Sequence, residues 1–336
     1  MAEKTFRERF MDDETTFDEI FDLTDEWSDS DTNMPLREYL GLNAREEEIW
    51  VEESDEALED YMEQEKNTRI FFTDLDGTAL TDDKQITPAT RKAFDEILEQ
   101  GHIVVICTGR ALASAIKQAH MYGLDRENCY IISFNGGQIY DVTADKIIYS
   151  ASVPKDIVRT LFDEAEKCGV NIQTYTRKGV VTEHDNPDFR EYLEIQMLDG
   201  EVLPDVMKKL TKAPAKVLGL CSEDLDRLAR FGEHVKEMFG DQLDVFGSSG
   251  IYLEIVPKGV NKGEAVHFLC RYLGIPEKNS VAAGDSDNDI PMLREAQVGA
   301  AMINAHPTVK EVSDYITVND NNHDGVEEII RKFILN

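Results

Sequence analysis

Beyond residue 67 the chain alternates short apolar runs with amphipathic stretches of about a dozen residues. Residues 70–73 (Ile-Phe-Phe-Thr), 103–107, 130–133 and 281–283 are nearly continuous apolar runs, the pattern of strands buried on both faces. Thr87 followed by Pro88 opens a helix, as N-cap and first-turn proline, that passes through Ala93, Ile97 and Leu98 to Gly101. Further helices are predicted over 110–122, Lys262–Leu273 and 290–296, and a strand over 298–302. Val326, Ile329, Ile330 and Phe333 close the chain on an amphipathic helix. This alternation predicts an α/β core built on a doubly wound, parallel, Rossmann-like sheet.

Two segments break the pattern. From residue 153, helices over Lys155–Cys168 and 224–239 mix with strands that look antiparallel, at 171–176, 179–183, 215–221, 243–247 and 252–256. An inserted α+β cap is therefore expected over 153–250, with the core split into 67–152 and 251–336. Residues 1–66 form an acidic extension. In it, 35–42 reads as a short helix stopped by Gly41, and 46–65 as a second helix with Ile49, Trp50, Ala57, Leu58 and Tyr61 on one side. The acidic run before them is low in aliphatics and reads as chain without fixed structure.

The overall apolar and charged fractions, 41% and 30%, are ordinary for a soluble protein. The net charge of −32 is not, and the extension alone holds 24 Asp and Glu against 6 Lys and Arg. Such a surface repels nucleic acid and anionic membranes. No apolar run approaches the ~18–20 residues of a membrane span. The five cysteines are scattered, with no CxxC pair, and the acidic N-terminus lacks a signal-peptide core. A cytoplasmic protein is expected. The extension reads as a solvated tail with a docked hairpin or, alternatively, as a module that contacts a protein partner.

The candidate chemistry lies at the ends of apolar runs. Ile70–Thr73 leads into Asp74-Leu75-Asp76-Gly77-Thr78, and residues 281–283 lead into Gly284-Asp285-Ser286-Asp287-Asn288-Asp289, with Asp285 211 positions after Asp74. On adjacent parallel strands these carboxylates would converge outside the carboxyl ends, where open α/β sheets bind ligands. An i, i+2 carboxylate pair can attack phosphorus with one member and move a proton with the other. Oxygen-only ligands suit Mg²⁺. Thr108, Gly109 and Arg110 end another strand at a helix start, a place that holds phosphoryl oxygens or serves as a plain cap. Lys262, just before a helix, is placed to offset the acids or to sit on the surface. The acidic loop lacks the glycine and closing glutamate of an EF-hand, and no HExxH, GxSxG or GxxxxGK[ST] pattern is present.

Taken together, DLDGT, the strand ending in Thr-Gly-Arg, Lys262-Gly263 and GDSDND resemble the haloacid-dehalogenase-type phosphatases in order and spacing. The insertion, Asn135-Gly136-Gly137, residues 285–293 and Asn304-Ala305 are similar to the Cof-like subgroup. The resemblance covers ~68–336 and leaves out the extension; Ala79 departs from the usual bulky aliphatic. It implies Asp74 as nucleophile and Asp76 as general acid/base. It implies Mg²⁺ held by Asp74, the Asp76 carbonyl, Asp285 and Asp289. Thr108, Lys262 and Asn288 would hold the phosphoryl group, with Gly109, Arg110 and Asn135 beside it. The expected activity is hydrolysis of a small phosphorylated metabolite, a sugar phosphate or a phosphorylated cofactor. The alternatives are a phosphosugar mutase and a sugar-phosphate-binding regulator using the extension. In the cap, Thr174, Tyr175, Thr176, Arg177, Glu183 and His184 are candidates by their place near strand ends.

Overall fold

The structure, a computed structural model, describes residues 4–248 and 250–335. The chain forms two units, one of the residues up to Arg69 with Cys270–Asn279, the other of Ile70–Leu269 with the residues from Ser280 onward.

In the larger unit the strands are β1 (Ile70–Thr73), β2 (Ile103–Cys107), β3 (Cys129–Ser133), β4 (Gln138–Asp141) and β5 (Lys146–Ser150). β6 (Asn171–Thr176), β7 (Gly179–Thr182), β8 (Gly200–Val202), β9 (Val217–Leu220), β10 (Leu243–Ser248) and β11 (Tyr252–Pro257) follow. β12 (Ser280–Gly284), β13 (Val298–Ala301) and β14 (Tyr315–Ile316) complete the set. They form an eight-stranded sheet in the order β14-β13-β12-β1-β2-β3-β4-β5 and a six-stranded sheet in the order β10-β11-β9-β6-β7-β8.

The first sheet is the expected doubly wound core. β14 through β3 pair in parallel, and β1 and β2 are buried along their whole length. The antiparallel hairpin β4–β5 extends one edge beyond the parallel set. Its short apolar groups, Ile139-Tyr140 and Ile147-Ile148-Tyr149, were diluted in the sequence by the turn of Asp and Thr between them.

The second sheet is the cap. The helices Lys155–Cys168 and Leu225–Phe239 lay Ile157, Leu161, Phe162, Leu228, Phe231 and Val235 against Ile172, Val217, Val245, Leu253 and Ile255 of the strands. Side chains alternate across a strand, so only every second strand residue joins this layer. The pairing is antiparallel as expected, except that β8, unrecognised in the sequence, runs parallel to β7.

The smaller unit is helical from its start. Phe6–Met11 is opened by a capping box of Thr5 and Glu8, and Glu19–Asp29 follows. Phe6, Phe10, Phe17 and Ile20 join Leu40, Ile49, Leu58 and Met62 in one apolar core, so the acidic run expected to lack structure is ordered. Five apolar anchors, Met11 included, suffice because the acids between them face water. The short helix Leu36–Leu40 ends at Gly41 with φ 76°. The single helix expected over 46–65 is two, Ala44–Glu52 and Asp55–Asn67. Ser54 divides them by accepting from the Ala57 amide at 3.1 Å, a new N-cap inside the helical pattern.

Candidate active site

The two aspartate loops leave neighbouring strands at one level. Thr73 of β1 lies beside Ile106 of β2 and Ala283 of β12. The chain runs from β1 to β2 and β3 on one side and returns through β12 and β13 on the other, so the gap between β1 and β12 is the topological switch point. The Asp74 amide donates to the Ala283 carbonyl at 3.0 Å and carries the ladder one residue past β1. Gly77, at φ +83°, lets the loops close: a Cβ there would lie 2.5 Å from Asp285 Oδ2.

Lys262 is fully buried between the two loops. Its Nζ donates to Asp74 Oδ1 at 2.7 Å and to Asp289 Oδ1 at 2.5 Å. Asp289 Oδ2 accepts from the amides of Asp285 and Ser286, both at 3.0 Å, and Thr78 Oγ1 donates to Asp285 Oδ1 at 3.2 Å. Among the described residues, Asp74, Asp285 and Asp289 form the one acidic group whose oxygens lie within 4.8 Å of one another. Burial pushes the Asp74 carboxyl up to about 8, with the Asp289 charge adding to it against the pull of Lys262. Burial and Asp289 also raise Asp285. Burial alone would lower Lys262, but the two carboxylates outweigh it and hold the ammonium above its ordinary value. Two buried carboxyl groups, Asp74 and Asp289, and the half-buried Asp285 thus face one ammonium, and the group is short of positive charge. An all-oxygen set with that deficit fits a hard divalent cation such as Mg²⁺.

The Asp76 carboxylate turns away from this group. Arg110 grips it through Nε at 2.8 Å and Nη2 at 2.9 Å, and Lys84 Nζ lies at 2.8 Å. Burial would raise Asp76, yet Arg110 and Lys84 outweigh it and hold it below the ordinary aspartate value. Thr108 Oγ1 accepts from the Arg110 amide at 3.2 Å and shapes the turn after β2. Gly109 sits against the Asn135 amide group, whose Oδ1 accepts from Asn288 Nδ2 at 3.0 Å. Gly136, at φ +106°, brings this loop to the segment before Lys262: a Cβ would lie 2.2 Å from the Asn261 carbonyl.

These groups open into a cleft of about 790 Å³ lined by Asp74, Asp76, Thr108, Gly109, Arg110, Asn135, Lys262 and Asn288. Asp285 and Asp289 are not among its lining residues. The cap residues singled out near strand ends are not either. The Tyr175 hydroxyl pairs with that of Tyr192 at 2.6 Å, Glu183 with Arg159 at 2.7 Å, and Arg177 with Asp145 at 3.1 Å. The cap side of the cleft is formed instead by Tyr192, Gln196, Lys216, Phe246, Tyr252 and Glu254. One signal for it existed in the sequence: Glu254 interrupts the apolar run Tyr252-Leu253-Glu254-Ile255-Val256, and Lys216 begins another.

Residues 71–330 match the model of the haloacid dehalogenase-like hydrolase family. A protein of Streptococcus pyogenes with a provisional phosphatase name is 32% identical over 270 residues, 80% of this chain and 99% of that one. The 5-amino-6-(5-phospho-D-ribitylamino)uracil phosphatase of Bacillus subtilis is 29% identical over 280 residues, 81% of this chain and 98% of its own. The crystal structure of a haloacid dehalogenase-like hydrolase from Bacteroides thetaiotaomicron superposes with a TM-score of 0.74 at 28% identity, covering 79% of this chain and 99% of that one. With the acidic loops, the buried lysine and the cap on the page, the chain belongs to the haloacid dehalogenase-like hydrolases, among their Cof-like phosphatases.

Proposed function

We propose that the chain is a Mg²⁺-dependent phosphomonoesterase that hydrolyses a small phosphorylated metabolite through an aspartyl phosphate on Asp74. The observation that carries this reading is the buried Asp74–Lys262–Asp289 bridge at the mouth of β1 and β12. It points one Asp74 oxygen at the ammonium and leaves the other for phosphorus. An Asp74 oxygen bonds to phosphorus as the bond to the leaving oxygen breaks; Asp76, which Arg110 and Lys84 hold ionised in the structure, must leave those partners and take up a proton before it can give one to that oxygen. Water then attacks the acyl phosphate, Asp76 takes its proton, and inorganic phosphate leaves with Asp74 restored. Thr108, Lys262 and Asn288, all on the cleft wall, would hold the phosphoryl oxygens. When bound, Mg²⁺ supplies positive charge between the anionic nucleophile and the anionic phosphate, with Asp74, the Asp76 carbonyl, Asp285 and Asp289 holding it. The similarity to a ribitylaminouracil phosphatase supports a phosphorylated metabolite or cofactor intermediate as substrate.

The test is phosphate release by the full chain from sugar phosphates, flavin mononucleotide and pyridoxal phosphate, with Mg²⁺ and with EDTA. Turnover is expected with Mg²⁺, lost with EDTA, and reduced at least about 10³-fold in Asp74→Asn. Turnover that survives EDTA or Asp74→Asn would overturn the mechanism.

A further inference from the structure

The cap sheet has two faces of opposite character. Leu253 and Ile255 of β11 enter the apolar layer under the cap helices, so Tyr252 and Glu254 point to the other side. Phe246 and Ser248 of β10 and Leu218 of β9 share that side, and all of these line the catalytic cleft. A sheet face held only for packing would be aliphatic. This one carries an ion pair. Lys216 and Glu254 are 2% and 7% exposed, with Nζ 3.3 Å from Oε2. A buried pair of this kind is often no more stabilising than apolar residues of the same size, so stability alone does not account for it.

The bonding of the pair is incomplete. Lys216 Nζ, with three protons to give, has 3.3 Å contacts to Glu254 and to the Gly109 carbonyl, both long, and lies 5.5 Å from the centres of the Phe134 and Tyr175 rings. Among the described residues, Glu254 accepts a good bond, 2.8 Å, only on Oε1, from Ser248. Gln196, which lines the same cleft, has its Oε1 buried with no partner among the described residues. Unpaired buried acceptors are rare and costly unless a ligand or water completes them. Tyr252 stands edge-on to Tyr192 at 5.5 Å between centres.

We propose that Lys216 and Glu254 are the specificity residues of the cleft, and that they read a neutral leaving group built on a ring. That group presents an acceptor to Lys216, a donor to Glu254 or Gln196, and a ring face to Tyr252. Because Glu254 balances Lys216, a second anionic group on the substrate meets no net positive charge at this end. The inference rests on the phosphatase reading. Hydroxylated sugars and nitrogen heterocycles share the required chemistry. Through Gly109, Lys216 also ties recognition of the leaving group to the loop of Thr108 and Arg110.

The experiment uses the full chain with Mg²⁺ and measures kcat and KM for four kinds of substrate. These are hexose monophosphates, the heterocyclic monophosphates flavin mononucleotide and pyridoxal phosphate, a hexose bisphosphate, and p-nitrophenyl phosphate, whose leaving group offers no donor. The sugar and heterocycle arms decide between the two sources. For the better of them, kcat/KM relative to p-nitrophenyl phosphate is expected to fall at least about tenfold in Glu254→Gln, mostly through KM. The double variant Glu254→Gln/Lys216→Met leaves no lone buried charge and is expected to lose the same discrimination. The bisphosphate is expected to be a poorer substrate than its monophosphate. Equal losses on all substrates, no loss on any, or a preference for the bisphosphate would overturn the assignment. If the unmodified protein turns over nothing, p-nitrophenyl phosphate included, the phosphatase reading itself fails and this inference with it.

Discussion

Lys262 shows how one residue can be legible in type and illegible in consequence. Its place before a helix marked it as a candidate, but a surface lysine fits the same sequence. Only the fold buries it between Asp74 and Asp289. Removing the ammonium leaves carboxylates buried without their partner, which costs about 3–5 kcal/mol in comparable sites. Lys262→Met is therefore expected to lower the denaturant midpoint of the metal-free protein by that equivalent; a loss under about 1 kcal/mol would mean the carboxylates are neutral there. Asp74 and Asp285 were readable because each stands at the end of an apolar run, and Asp76 by its i, i+2 spacing from Asp74, so their positions at strand ends are local facts. Lys216, Glu254 and Gln196 were not picked out, because each is one polar residue in an element with its own packing, and their meeting depends on sheet register and the placement of a helix.

At the scale of elements, the helix pair Ala44–Glu52 and Asp55–Asn67 carries charge into its own core. Arg7 donates to Glu46 at 2.7 Å and to Glu65 at 2.8 Å, so one guanidinium serves two carboxylates. Burial lifts Glu65 to about 7 from an ordinary 4.5; Arg7 opposes this and the Glu46 charge adds to it. The folded unit thus binds more protons than the unfolded chain between those values. The stabilising contribution of Glu65 is full below pH about 4.5 and is lost as pH rises through about 7. Glu65→Gln, which keeps an acceptor for Arg7 and turns its amide to donate to the Tyr61 oxygen, is expected to flatten the decline of melting temperature between those pH values. An unchanged slope would assign the titration to another group. The divided helix and the β4–β5 hairpin were obscured for related reasons: a single Ser cap and a short turn leave little trace in a hydrophobic period.

For the whole molecule, a net charge of −32 sets a repulsion that no single contact relieves. Salt screens it, with a Debye length that shrinks from ~30 Å at 0.01 M to ~10 Å at 0.1 M. The melting midpoint is expected to rise with NaCl over that range by about 3 °C, the equivalent of ~1 kcal/mol of repulsion removed. A fall would mean that exposed ion pairs outweigh the excess charge. None of the described helices is long and apolar enough to cross a membrane.

The sequence by itself determined the α/β core, the interruption by a cap, and the acids, threonine and lysine of the candidate site. All of these are written in short windows, where apolar period and the residue after a strand suffice. The tertiary structure decided which charges are buried together, that Asp76 is held by Arg110 and Lys84, and which face of the cap sheet looks into the cleft. Those depend on register: a strand shifted by one residue exchanges its two faces, and nothing within the strand's own sequence says which face a distant domain will meet.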